Sequence, residues 1–405
     1  MLNKTTTKWQ ALDWPQIERV SFQDWPLLVT DLSDKTVDLP PLAYDNYTSE
    51  TSVEDSQIRL VYSGQTFLEK HIPAHLEAAG VIVVDWQEAT VRFPELVKEY
   101  LYSVIPEKAD RVLAYHREYF DGGGFIYIPD HYEEKVVIDC LILQDSRAAQ
   151  TCNLRSVIVA GVHARLEYIE RLQTIGEVAN SAVIITEVVA RAGSQIKYCA
   201  IDSLAAKTTA YIKRYARTEN DAVVNWAIGA MNDGHTILDT DTYLDGKGSE
   251  SQLAIVAIAS QDQVQGIDAK VVNRGHYSIG NILQHGVILD RATLTFNGIG
   301  LIEKNAKHAD AQQESRVMML SDEARGDANP ILLIEEFEVT AGHAASAGQL
   351  DEQQLYYLMS RGLPRQEAEF LVVRGFLGSV IQEMPSQLVR DQMVAIIDRK
   401  LASLM

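Results

Sequence analysis

From residue 125 to about residue 340 the chain offers almost nothing but short β-branched runs closed by turn residues. They include "FIYIPD", "KVVIDCLILQD", "SVIVAGVHARLEYIE", "AYIKRYARTENDAVVNWAIGAM", "SQLAIVAIAS", "HGVILDRATLTFNGIGLIE" and "ILLIEEFEVTAG". More than 200 residues of strand-like text without intervening helices exclude a doubly wound fold. A sandwich, a propeller or a parallel β-solenoid remain. The phrases "ARAGSQIKYCAI", "ARTENDAVVNWAIGA" and "GKGSESQLAIVAIA" share one order: a small residue, a polar turn, then an alternating apolar strand. Stacked coils read this way, because each buries its face only against its neighbours. The expected fold is therefore a parallel β-solenoid, mainly β, with α-helical regions at both ends to cap the stack.

The flanking text supports that division. Residues 1–122 hold helical pieces such as "AHLEAAG", "TVRFPELVKEYLYSVI" and "ADRVLAYHREYF", and read as a mostly helical N-terminal region that the glycines Gly122, Gly123 and Gly124 bring to a stop. Residues 123–345 form the β-helix core, and 346–405 a C-terminal helical domain. There Asp351 is placed to N-cap "EQQLYYLMSR", Gly362 to end it, and Pro364 to open a second helix that Pro385 closes. In that second helix Leu371, Val372, Gly375, Phe376 and Val380 are expected on one side. They cover the helices' own core or, in the sharper reading, receive a partner protein.

Composition narrows the function classes. A formal charge of −20, from 56 acidic against 36 basic side chains, opposes nucleic-acid binding. No apolar run approaches the roughly 20 residues of a membrane span, and the first residues lack a signal-peptide core, so a cytoplasmic location is expected. Cys140, Cys152 and Cys199 follow no metal-binding spacing and sit in or beside apolar runs, as reduced core cysteines do. The absence of a GxxxxGK[ST] loop means that the chain is not itself a P-loop ATPase.

One residue stands apart. In "EEFEVTAGHAASAG" the imidazole of His343 lies in a run too small to pack around it, at the junction of β and helical text. On residue type alone it is a structural histidine bonded to a backbone carbonyl.

The segment "QHGVILDRATLTFNGIGLIEKNAKHADAQQESRVMMLSDEARGDANPILLIEEFEVTAGHAASAGQLDEQQLYYLMSRGL", followed by "EAEFLVVRGFLGSVIQEMP", resembles the C-terminal half of the SUF iron–sulfur assembly scaffolds, the SufB/SufD family. "YLDGKGSESQLAIVAIAS" and "GGGFIYIPD" match less tightly upstream. The resemblance implies a right-handed parallel β-helix (β-solenoid) flanked by N- and C-terminal α-helical regions. It also implies a non-enzymatic scaffold subunit that pairs with a SufB-like subunit through the β-helix and with a SufC-like ABC ATPase through the C-terminal helices. Homodimers of the isolated subunit are a further expectation. Where a sulfur-accepting cysteine is sought, this chain has Gln313, Glu314 and Ser315, and no cysteine follows Cys199. A carboxylate cannot carry a persulfide, so the chain resembles SufD-type members more than SufB-type ones.

Within that resemblance His343 becomes a candidate ligand for a transient iron–sulfur cluster at the partner interface, since neutral imidazole is a competent iron ligand. Ala341 stands where many relatives have cysteine. Glu314 is a weak candidate oxygen ligand, and Glu336 and Glu338 read as a solvated edge. No permanent cofactor is expected.

Other features read as structural. Asp239, Asp241 and Asp245 in "DTDTYLDGKGSE" alternate as in a calcium loop, but Tyr243 occupies a ligand position. His71 and His75 are separated by Pro73, and His276, His285 and His308 show no nucleophile–base pattern. The competing function is a secreted-type parallel β-helix polysaccharide lyase, which needs a carboxylate and cation constellation.

Overall fold

The computed structural model describes residues 9–29, 57–64, 66–106, 109–120, 122–149, 151–382, 384 and 387–402. The N-terminal part mixes strands β1 (Ile58–Ser63), β2 (Thr66–His71) and β3 (Ile82–Asp85) with helices α1 (Ala74–Ala78), α2 (Trp86–Arg92), α3 (Pro94–Tyr100) and α4 (Arg111–Tyr119). It is thus less helical than expected. The glycine cluster does not stop a helix: α4 ends before it, and Gly122 to Gly124 begin β4 (Gly122–Ile128). A Cβ at Gly122 would strike the backbone of Gly64 at 2.3 Å, so close strand approach is what the position requires.

No helix interrupts the described residues of the next stretch. It runs β5 (Lys135–Ser146), β6 (Cys152–Ala160), β7 (Arg165–Gly176), β8 (Asn180–Ala190), β9 (Gln195–Ser203), β10 (Thr208–Thr218), β11 (Val223–Ala230) and β12 (Thr236–Leu244). It continues β13 (Glu250–Ala259), β14 (Val264–Asn273), β15 (Ile279–Ile288), β16 (Thr293–Ile302), β17 (Asp310–Met319), β18 (Arg325–Ile334) and β19 (Thr340–Gln349). Successive strands alternate between two sheets, ordered β19-β17-β15-β13-β11-β9-β7-β5-β1-β2 and β18-β16-β14-β12-β10-β8-β6-β4-β3. All pairings from β4 onward are parallel, which makes the molecule a parallel β-solenoid of about eight turns.

Side chains alternate across each strand, so one row of every strand faces the lumen. Those rows align into columns, for example Tyr168, Tyr198, Trp226, Leu253, Ile282, Gln313 and His343. The rings of Tyr168, Tyr198 and Trp226 stack at 5.0 and 4.8 Å. The charged lumen group Arg214 is fully buried between Glu170 and Asp202, at 2.7 and 2.6 Å. One corner of the coil is equally regular. His131, His163, Gly193, Asp221, Gly248, Tyr277 and His308 all have φ between 55° and 68°. Each of these seven N–H groups donates to a carbonyl of the following coil, from His131 to Val162 through to His308 to Glu338.

Two coverings lie outside the sheets. Residues 9–29 form a strap over the second sheet, where Ile17, Val20 and Phe22 pack with Tyr211 and Ile237, and Arg19 reaches Asp327 of β18 at 3.2 Å. The C-terminal helices α5 (Glu352–Ser360), α6 (Arg365–Ile381) and α7 (Gln387–Leu401) cover the first sheet. Asp351 caps α5 by accepting from the Gln353 amide, and Gly362, at φ 97°, ends it as the sequence predicts. Pro364 precedes the first residue of α6, while the expected stop at Pro385 lies outside the described residues.

Candidate functional site

The solenoid presents two surfaces that its own fold leaves uncovered. The first is its last coil. β18 and β19 are the terminal strands of their sheets, so each shows one unpaired backbone edge. No residue of either strand is buried. Leu333 and Ile334 are half exposed, and Phe337, in the turn between the strands, is 98% exposed.

His343 lies on β19, directly beside Gln313 of β17. In β17 the buried residues are Ala311, Gln313, Ser315 and Val317, so this row faces the lumen. The matched row of β19, Ala341, His343, Ala345 and Ala347, faces the same way. His343 therefore crowns a lumen column with no further coil above it, and its ring is exposed. No described residue hydrogen-bonds it. The carbonyl-satisfied structural role is not what this geometry shows, and the small neighbours leave the ring open to a second surface.

Glu314 is placed differently. It belongs to the opposite row of β17, facing outward, so it and His343 point to opposite sides of the sheet. One carboxylate oxygen accepts from His285 Nε2 at 2.9 Å and the other from Arg316 at 2.9 Å. Partial burial raises the pKa of this carboxyl, but the His285 hydrogen bond and the Arg316 charge outweigh it and hold it below its ordinary value. The structure thus separates Glu314 from His343. Among the described residues, no group of three or more His, Cys, Asp or Glu side chains is arranged to hold a metal ion.

The second surface is the outside of α5 and α6. The expected apolar side of α6 divides in two. Leu371 is 46% exposed, Gly375 is exposed with no atom within 4 Å of a Cβ built on it, and Val372 is half-buried. Val380, by contrast, is buried against the first sheet with Val373, Leu377 and Ile381, so it does not share the outward side. Phe376 is half-buried, its ring stacked on His285 at 4.7 Å. The physical reason is that this helix is apolar nearly all round, so spacing alone does not orient it. Tyr356, Tyr357 and Met359 of α5 are also exposed; sequence reading passed over them because they sit inside a run that looks like core.

The acidic motif resolves as structure. Asp239 is paired with Lys213 at 3.0 Å, Asp241 with Lys270 at 2.8 Å, and Asp245 with Arg274 at 3.1 Å. His71 ends β2 while His75 sits on α1, both exposed. Cys140, Cys152 and Cys199 are buried free thiols, and burial raises the pKa of Cys140 and Cys199 well above the ordinary thiol value. No helix among the described residues is long and apolar enough to cross a membrane.

The described residues thus form a stack of parallel coils, buttressed at its first end and bare at its last, the architecture of a β-solenoid scaffold. The family comparison agrees: the profile described as "SUF system FeS cluster assembly, SufBD core domain" matches residues 142–376. The iron-sulfur cluster assembly protein SufD of Bacillus subtilis (strain 168) is 36% identical over 96% of this chain and 91% of its own length. A SufBD family protein of Staphylococcus epidermidis (strain ATCC 12228 / FDA PCI 1200) is 24% identical over 77% of this chain and 67% of its own. The chain belongs to the SufB/SufD family of the SUF iron–sulfur assembly system and is most like SufD members.

Proposed function

We propose that the chain is a non-enzymatic scaffold subunit of an iron–sulfur cluster assembly complex. Its last coil pairs with a SufB-like β-helix subunit, and the outer side of α5 and α6 docks a SufC-like ABC ATPase. His343 lends an imidazole to a transient cluster held between the two β-helix subunits. The observation that carries this reading is the uncovered last coil, with two open strand edges, the apolar Leu333, Ile334 and Phe337, and an unengaged imidazole on one small-residue strand. An open edge of this length is a template for strand addition, which supplies main-chain hydrogen bonds along the whole interface.

Because no acid or thiol among the described residues joins His343 in a metal-holding group, the remaining cluster ligands are assigned to the second subunit. The cluster is cargo, formed and released at the interface, and the partner-free chain keeps no metal. When no SufB-like subunit is present, the same open edges allow two copies of this chain to pair.

The test is affinity capture of this chain from its native cell extract, with partners identified by mass. The expected result is an ABC-type ATPase together with a cysteine-bearing β-helix paralogue. Recovery of neither with a folded bait contradicts the reading. His343→Ala should leave the complex intact and slow cluster formation, and a wild-type rate returns His343 to a structural role.

A further inference from the structure

His285 is used by nothing described so far, yet it is 4% exposed at the side chain and sits where three elements meet. It projects from the outer row of β15 under helix α6. Its Nδ1 lies 2.9 Å from the main-chain oxygen of Phe376, in the middle of α6. Its Nε2 lies 2.9 Å from a carboxylate oxygen of Glu314 on β17. The Phe376 ring covers it at 4.7 Å and an interplanar angle of 14°. Ser379 Oγ stands 3.3 Å from Nδ1 and donates to the Phe376 oxygen.

Through its two ring nitrogens His285 thus joins the main chain of α6 to the Glu314 carboxylate of β17. The charged groups facing this ring are Glu314 and, behind it, Arg316, both from β17. Val256 stands beside it in the β13 register, and α6 contributes Phe376 and Ser379. Glu314 in turn pairs with Ala344 of β19, the neighbour of His343.

We propose that His285 is a positioning clasp that ties α6 to the strands supporting the last coil, so that displacing α6 loosens β19 and the His343 segment. Lifting α6 removes the partner of one ring nitrogen, and Glu314 is then left holding the ring alone. A hydrogen-bond network with two discrete arrangements lets a load on a helix register in an adjoining strand. The functional meaning rests on the docking role proposed for α6. The measurements need no partner, so failure of the clasp leaves that role standing, and failure to capture an ATPase leaves the clasp standing.

Two measurements on the full-length, partner-free chain test it. Nitrogen-15 spectra of the His285 ring should show signals shifted by hydrogen bonding that move in Glu314→Ala, and signals matching a solvated histidine overturn the proposal. Amide hydrogen exchange then reads the coupling. Leu377→Ala, beneath α6, should speed exchange in α6 and, by about threefold or more, in residues 340–349, as groups joined through one hydrogen-bond network do. In a His285→Phe background, which keeps the ring stack, Leu377→Ala should speed α6 alone. Glu314→Ala, at a half-exposed position, gives the same uncoupling should His285→Phe fail to fold. A response of residues 340–349 that is equal in all backgrounds, or absent in the parent chain, overturns the coupling.

Discussion

Near the first end of the stack every residue of β6 is buried, whereas in β18 and β19 none is. The ion pairs differ in the same way. Arg155 and Glu187, at 2.5 Å, are 1% and 0% exposed, and Glu187 also accepts from the backbone amides of Tyr102, Val104 and Ile105. Arg325 and Asp327, at 3.3 Å in the last coil, are 69% and 17% exposed. A buried carboxylate with four donors fixes the N-terminal segment onto the solenoid and has no satisfactory alternative. A pair in water holds little, and its strand stays available for another chain. One end of the same repeat is thus closed by its own chain and the other left open, as the proposed pairing requires.

The largest effect should come from breaking the closed end. Glu187→Ala leaves a buried guanidinium and three loop amides unpaired, and should cost about 3–5 kcal/mol in denaturant unfolding. Asp327→Ala in the open coil should cost about 1 kcal/mol or less. Similar losses for the two would abolish the contrast. Next in size is the docking surface: Leu371→Glu should abolish capture of the ATPase while leaving the melting temperature within a degree or two, since an exposed site changes stability by about 0.5 kcal/mol or less. This is a cleaner test than a charge at Phe376, which would also strip the cover from His285. Phe337→Ser should weaken pairing with a second β-helix subunit by about tenfold, from the loss of one large buried side chain, and leave the isolated chain's stability unchanged.

The smallest effect is a pH dependence beneath the strap. Burial and the nearby charge of Asp239 push Asp268 up to about 7, even though Asn297 donates to it at 2.5 Å. Its folded pKa exceeds the unfolded one, so in the window between about pH 4 and pH 7 the folded chain holds the extra proton. Stability from this group therefore falls as pH rises through that window. Asp268→Asn should flatten the slope of unfolding free energy against pH there, and an unchanged slope would contradict the assignment.

Much of this was legible in the sequence because a solenoid repeats its instructions. Small residue, polar turn and alternating strand recur loosely along the stack, and Asp351 and Gly362 mark α5 by capping chemistry alone. The irregular period has a physical source. Strand registers are kept, but paired positions in neighbouring coils lie from 26 to 32 residues apart, as in Ala210 with Thr236 and Gly122 with Leu154. The left-handed corner stayed hidden because only two of its seven residues are glycine; His131, His163, Asp221, Tyr277 and His308 carry the same conformation without advertising it. The strands β1 to β3 were missed because short strands among helical text give no period of their own. His343 could be singled out from its small neighbours, but its place at the crown of a lumen column depends on register. His285 could not be found at all, since its partners lie 29 and 91 residues away.

The central claim is that the last coil is the pairing surface. Amide hydrogen exchange over residues 325–349, measured for the isolated chain and again after mixing with a SufB-like subunit, tests it directly. The account predicts protection rising by about tenfold or more in β18 and β19, as open edges become paired, with β6 to β9 unchanged. Protection that appears elsewhere while residues 325–349 exchange as before would contradict it.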